Sequence, residues 1–263
     1  MSKRKSVLIT AGTKNTGFVI AQDFAAKGYN VHITGRDAGQ RNAAVQQLRE
    51  NYPKISVYAY DLEMSNMSSI TSVFEEIKKN TDGIDVFVAN AANLGIGIDT
   101  YNADEEHFDS IMDVNVKGTF FCCREAARLM KENGGSIVLM SSVQSKGGIE
   151  GRTLYSISKA AVNAMGKSLA YDLAPLDIRV NTLIIGAIHT NRWDVLDEET
   201  CRSRRLAYPL KREADMKDVS NAVMFLSEDT SKMITGTEIA VDSGVMVPLL
   251  SYKDRKQFER EDF

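Results

Sequence analysis

Cysteine is scarce in this chain: its 263 residues hold three, Cys122, Cys123 and Cys201. The number is odd and no Cys-x-x-Cys pair occurs, which suits a reducing cytosol. Histidine is as rare, and His32, His107 and His189 are scattered, leaving no obvious ligand set for a metal. Positive charge is not in excess: 32 Lys and Arg face 35 Asp and Glu, for a net charge of −3. With no basic stripe either, nucleic acid is not an expected partner. No apolar run approaches the ~18 residues of a membrane span. The basic opening, residues 1–5, leads into an apolar stretch of only five residues and lacks the apolar core of a secretion signal. Repeats, low-complexity tracts and linkers are missing as well. These absences point to a soluble cytoplasmic protein without a metal. It is expected to fold as one domain over residues 1–250, followed by a charge-dense tail at 251–263.

What is present is a regular alternation of strand and helix signals. Ser6-Val7-Leu8-Ile9-Thr10 is a continuous apolar run, as expected for a strand covered on both faces. A turn follows, then a helix with Ile20, Phe24 and Ala25 on one face and Gly28 as its stop. A second strand at 31–34, a helix at about 38–50 and a third strand ending at Asp61 come next. Ile70, Val73, Phe74 and Ile77 mark an amphipathic helix. Later elements read as a strand at 84–88, one long helix at about 105–132, a strand at 137–140 and a helix at 153–173. A strand at 178–184, a polar interruption at 189–213, a helix at 216–226 and a last strand at 238–241 complete the pattern. Such alternation predicts an α/β fold: a doubly wound, Rossmann-like parallel sheet of about seven strands with right-handed crossovers. Ligands then bind beyond the carboxyl ends of the strands, at the switch point.

The centre of the chemistry is Tyr155-Ser156-Ile157-Ser158-Lys159. Residues four apart share a helix face. A phenol normally titrates near ~10, and a neighbouring ammonium favours its phenolate. A tyrosine tuned in this way can exchange a proton with a carbonyl or alcohol oxygen. Thirteen residues upstream, Ser142 ends an apolar run that reads as a strand, and Asn115 precedes both.

With the turn after the first strand, this ordered set resembles the short-chain dehydrogenase/reductase family, of the compact type, from about residue 6 to 247. The resemblance implies hydride transfer between a nicotinamide and a carbonyl or secondary alcohol. Tyr155 is then the proton donor in reduction. Lys159 lowers its pKa and holds the ribose, Ser142 donates to the substrate oxygen, and Asn115 supports a water-linked proton path. The alternative for Asn115 is a residue bonding irregular backbone within the long helix. Ser141 is expected to be structural.

The family turn is Thr-Gly-x-x-x-Gly-x-Gly; this chain has Thr10-Ala11-Gly12-Thr13-Lys14-Asn15-Thr16-Gly17. Only the last glycine position is kept. Ala11 is expected to be a mild change, and Asn15 is tolerable because Asn adopts left-handed backbone more readily than most residues. Backbone N–H groups at a helix N-terminus would receive the pyrophosphate. By resemblance Asp61 and Leu62 approach the adenine, with a turn or capping residue as the alternative for Asp61. Asn90 and Ala91 lie beside the adenosine. Gly186, Ile188 and Thr190 flank the nicotinamide, with Ile185 where the family has proline. After the second strand Gly35 falls where NAD-preferring relatives carry an acid, and Arg36 and Lys14 match basic positions of NADPH-using ones. NADP(H) is therefore the expected cofactor, with Asp37 read as the cap of the next helix.

A small-molecule carbonyl or alcohol is the expected substrate. The segment 189–213, with Trp193 and the arginines Arg192, Arg202, Arg204 and Arg205, reads as a solvated helix face with one aromatic anchor, or as a lid that clamps an anionic substrate. Relatives pair through the catalytic helix and the last strand, so a homotetramer is expected. Ala160, Ala161, Ala164, Ala170 and Ala174 are small enough for close helix approach. The alternative to an enzyme is a catalytically weak NADPH-binding sensor or scaffold.

Overall fold

The computed structural model describes residues 4–190 and 193–247. Seven parallel strands form one sheet in the order β3-β2-β1-β4-β5-β6-β7. They are β1 (Ser6–Ile9), β2 (Asn30–Thr34), β3 (Val57–Tyr60), β4 (Val86–Ala89), β5 (Gly135–Ser142), β6 (Ile178–Ile185) and β7 (Glu238–Val241). The strand order reverses between β1 and β4, which opens the crevice where such sheets take ligands.

Alternate residues of each strand serve opposite layers. In β1, Leu8 packs with α3 (Met67–Asn80), α5 (Thr119–Met130) and α6 (Thr153–Leu173), through Phe74, Ala126 and Val162 among others. Val7 and Ile9 pack with α1 (Asn15–Ala26), α2 (Ala38–Asn51) and α8 (Met216–Ser227), through Phe24, Leu48 and Val223. All four residues of β1 are buried, as both-face coverage requires.

The long helix expected at 105–132 is three pieces. An α-helix, α4 (Glu105–Met112), passes into a π-helical segment, Asp113–Gly118, before α5 begins. Asn115 sits in that wider turn. The polar interruption at 189–213 contains a short helix, α7 (Glu198–Leu206), that burial leaves out of the core. Arg192 and the tail at 251–263 lie outside the described residues. No helix among the described residues is long and apolar enough to cross a membrane.

Candidate active site

The turn after β1 is fastened on two sides. Ala11 N donates to Thr34 Oγ1 at 3.2 Å and Gly12 N to Thr34 O at 3.0 Å, tying it to β2. Asn90 Nδ2 donates to the carbonyls of Thr10 and Ala11 at 3.1 and 3.2 Å, tying it to the tip of β4. Thr10 Oγ1 in turn accepts from the backbone N–H groups of Asn90 and Ala91. Asn90 thus holds the turn's shape. Asn15 has φ 48°, the left-handed conformation anticipated for it, but Ala11 has φ 51° as well. The methyl group at Ala11 is therefore not a mild change: both replaced glycine positions require left-handed backbone. Gly17 is irreplaceable, since a Cβ there would collide with Ala11 O and come within 2.7 Å of Asn90 Nδ2.

Beside the turn a cavity of about 670 Å³ opens at the carboxyl ends of β1, β2 and β4. Ala11, Thr13, Lys14, Arg36, Leu62 and Ala91 line it. Asp61 does not; its carboxylate is 3.2 Å from Arg41 Nη1 and is mostly exposed. Nor does it cap α3, whose N-cap is Asn66. Glu63 lines the cavity instead, its Oε2 3.5 Å from Arg36 Nη1. Hydrogen bonds from Ser65 hold the Glu63 carboxyl below its usual pKa against the opposing effect of burial. Arg41 Nη1 also donates to the carbonyls of Gly35 and Arg36 at 2.7 and 2.8 Å, fixing the loop that carries Arg36. Asp37 caps α2 by accepting from Gln40 N at 2.7 Å. A Cβ at Gly35 would lie 2.8 Å from Thr13 Cγ2, so an acidic side chain at this position would crowd the turn. The left-handed turn, the cavity and its two cations fit the phosphate-bearing end of a dinucleotide.

The second half of the site gathers at the ends of β5 and β6. Tyr155 and Lys159 are buried on α6, with the ammonium 5.6 Å from the phenol ring centroid. Lys159 Nζ donates to Met140 O at 2.7 Å, and burial pushes its pKa from 10.5 down to about 8. Ser142 ends β5 and accepts from Gln144 N at 3.2 Å. Ser141, its neighbour, donates to Lys159 O at 3.1 Å, which braces the strand against α6 as expected of a structural residue.

Asn115 clamps the chain after β4. Its Oδ1 accepts from Asn93 N at 2.7 Å, and its Nδ2 donates to Asn93 O at 2.8 Å and to Ser158 Oγ at 2.9 Å. Ser158 Oγ bonds Tyr155 O at 2.7 Å. The asparagine so links the 93 loop to the helix that carries Tyr155. Gly186 packs against Asp242, where a Cβ would sit 2.8 Å from Cα. Ile188 bridges to Ala214, and Thr190 O receives the N–H of Trp193 at 2.8 Å.

In the segment 189–213 one carboxylate, that of Glu213, gathers Arg205 and His189. Arg205 makes two 2.7 Å hydrogen bonds to Glu213, and His189 Nδ1 lies 3.1 Å from the same carboxylate. The Arg205 bonds hold the Glu213 pKa down at about 2. Trp193 is buried under the guanidinium groups of Arg204 and Arg205. This is the aromatic anchor that the sequence suggested. Among the described residues no group of three His, Cys, Asp or Glu could hold a metal.

Sequence reasoning passed over Glu63, Arg41 and Arg152. Glu63 follows Asp61-Leu62 directly, and its nearness to a cavity-lining pair was the available signal. Arg41 is one residue among many on a polar helix and gave none. Arg152 Cζ lies 4.9 Å over the Tyr155 ring; its position three before the tyrosine was a signal only once the helix start was known.

Comparison with known proteins matches this geometry. The family model described as Enoyl-(Acyl carrier protein) reductase covers residues 11–246. A 3alpha-hydroxysteroid dehydrogenase of Mediterraneibacter gnavus is 33% identical over 245 residues, covering 92% of this chain and 97% of that protein. The 3-oxoacyl-[acyl-carrier-protein] reductase FabG of Aquifex aeolicus is 35% identical over 246 residues, with the same coverage of 92% and 97%. The fold superimposes with a TM-score of 0.88 on YwfH, an NADPH dependent reductase involved in bacilysin biosynthesis, at 22% identity over 94% of this chain and 100% of that one. On the family model and these relatives, the chain belongs to the short-chain dehydrogenase/reductase family, oxidoreductases that work with a nicotinamide cofactor.

Proposed function

We propose that the protein is an NADP(H)-dependent oxidoreductase that reduces a ketone or aldehyde, or oxidises a secondary alcohol, by hydride transfer, with Tyr155 as proton donor and acceptor. The observation that carries this reading is a buried ammonium kept beside a buried phenol: Lys159 lies 5.6 Å from the Tyr155 ring centroid and is anchored to Met140 O. A lysine buried with one carbonyl partner is costly to keep, and its proximity to the phenol gives that cost a chemical use. The nicotinamide cofactor supplies or accepts the hydride. Around it, Tyr155 moves the proton, Lys159 biases the phenol toward the phenolate, and Ser142 donates to the substrate oxygen as charge develops there. Asn115 holds the 93 loop against α6 and so fixes the wall facing the tyrosine.

NADP(H) rather than NAD(H) is supported by Arg36 and Lys14 in one cavity and by Gly35 where a discriminating acid would crowd Thr13. The substrate-facing walls are residues 92–101, 144–154 and the lid 189–213. Arg205 is spent on Glu213, so of the arginines in this lid it is not the one that would clamp an anion. The relatives' names suggest 3-oxoacyl thioesters and 3-keto steroids as the first compounds to try. We place the protein in the cytoplasm as a homotetramer. Exposed Ala160 and Ala164 and the apolar Ile157 on α6 suit helix pairing between copies, whereas Ala170 is buried in its own protomer.

The test is NADPH and NADH oxidation with a panel of ketones that includes both compound classes. Turnover faster with NADPH is expected. Tight NADPH binding with no turnover on any ketone or alcohol would favour a sensor or scaffold, a reading that the two strained turn residues, Ala11 and Asn15, keep in view.

A further inference from the structure

Arg152 stands just before α6, at its N-cap. Gly151 has φ 66°, a left-handed backbone that turns the chain so that the next side chain lies back over the helix start. The guanidinium Cζ comes to 4.9 Å from the Tyr155 ring centroid, closer than the Lys159 ammonium at 5.6 Å. Its Nε is 3.5 Å from Gln144 Oε1, and Gln144 N donates to Ser142 Oγ at 3.2 Å. The group thus stands between the Tyr155 ring and the side chain of Gln144, the residue whose backbone N–H bonds Ser142. We propose that Arg152 is a second cation of the catalytic tyrosine, a positioning residue that stabilises the phenolate from the ring face while Lys159 does so from within the protein.

The physical basis is direct. A cation over an aromatic face is attracted by its electron density. A phenolate carries more negative charge in that ring than a phenol does, so the attraction grows on deprotonation. The two cations differ in kind. Burial brings Lys159 to a pKa of about 8, so its charge fades on mildly alkaline titration. A guanidinium keeps its charge throughout. Among the described residues, the charged groups on the neighbouring segments have partners of their own or stand in solvent. Asp113 and Lys117 of the π segment pair with each other at 2.6 Å. Lys146, after the turn that follows β5, pairs with Glu238. Asp99 of the 93–102 loop accepts from Tyr101 and Asn102. Glu150, on the exposed turn before α6, is in solvent. Ser142 and Asn115, which approach from β5 and the π segment, are uncharged.

The inference rests on Tyr155 acting as the acid-base group, and its test separates the two ideas. Alcohol oxidation needs the phenolate, so kcat/KM rises with pH along an acid limb set by Tyr155. Arg152→Gln removes the cation. Arg152→Met removes it too but retains an unbranched stem over the ring, and serves should the first variant fold poorly. In either neutral variant the acid limb is expected to move upward by about one pH unit, with the cofactor dissociation constant unchanged. Arg152→Lys, which restores a cation, should return the limb most of the way. A purely structural role would lower the plateau and leave the limb in place. An active wild type whose limb coincides with that of the neutral variants overturns the role of Arg152 alone, as does a lysine variant that behaves like glutamine. A wild type without any oxidoreductase activity overturns the parent reading instead.

Discussion

Replacing Lys159 by methionine should produce a protein that is inactive and more stable. Lys159 is 4% exposed, and among the described residues its ammonium donates to Met140 O at 2.7 Å. Burial lowers its pKa from 10.5 to about 8. At about 1.4 kcal/mol per tenfold change in proton affinity, the charged form costs the native state about 3 kcal/mol at pH 7. Methionine has a similar length and no charge to desolvate, and it forfeits one bond to a carbonyl, worth about 1 kcal/mol. The variant should gain about 2 kcal/mol at pH 7, or roughly 4–8 °C in Tm for a domain of this size. The sign follows from the linkage. A lysine whose folded pKa lies below its unfolded value penalises folding fully below about 8, and the penalty fades as pH rises toward 10.5. By pH 9.5 the advantage of the variant should fall by about 2 kcal/mol and nearly vanish. Urea unfolding of both proteins without cofactor, at pH 7 and pH 9.5, measures it. A variant less stable at pH 7, or one whose advantage ignores pH, would refute the argument that this charge is kept against the interest of the fold.

Tyr155→Phe keeps the ring and removes the proton donor; turnover should fall at least about tenfold while cofactor affinity holds, measured by ketone reduction and by cofactor titration. Arg36 is 79% exposed and shares Glu63, so Arg36→Ala should weaken NADPH binding by about tenfold, the low end for a charge-assisted contact, and leave NADH unchanged. Equal losses for both cofactors would remove Arg36 from cofactor choice. His32 is fully buried with a pKa lowered to about 4 by burial, so stability present above its ordinary value of 6.5 should be lost as pH falls, by about 3 kcal/mol at pH 4. His32→Phe, which can stack between Tyr58 and Tyr60, should flatten that loss in urea midpoints taken at pH 7 and pH 4.5.

The sheet was legible because its signals are local and repeated. An apolar run that fills both faces, as Ser6–Ile9 does, and a helix with a four-residue apolar stripe, as Met67–Asn80 has, each announce themselves without tertiary information. The α6 boundaries and those of β7 fall where the sequence places them. The π turn did not announce itself. Its cause is a long-range demand, the clamp of Asn115 on both backbone groups of Asn93, and no local pattern encodes it. The site divides in the same way. Tyr155 and Lys159 are related by helix geometry and were readable at once. Asp61 and Glu63 are two residues apart after β3, and which of them reaches the cavity depends on Arg41 of α2 drawing Asp61 away.

The departures from the family pattern are coherent once the partners are known. Losing glycine at positions 11 and 15 puts two side-chain-bearing residues into left-handed backbone, at about 1–2 kcal/mol each for a residue such as alanine and less for asparagine. The turn persists because its neighbours over-determine it: Thr34 receives its N–H groups, and Asn90 donates to two of its carbonyls. Gly12, one position after the first lost glycine, lies so close to β2 that a Cβ would be 2.6 Å from Ile33 Cγ2. Ile185, in place of proline, keeps its place in β6 opposite Val241 and Ser142, so that proline's fixed φ is replaced by strand pairing on both sides. At Ala11 and Ile185, then, hydrogen bonds to adjacent strands hold backbone that the family pattern leaves to glycine and proline.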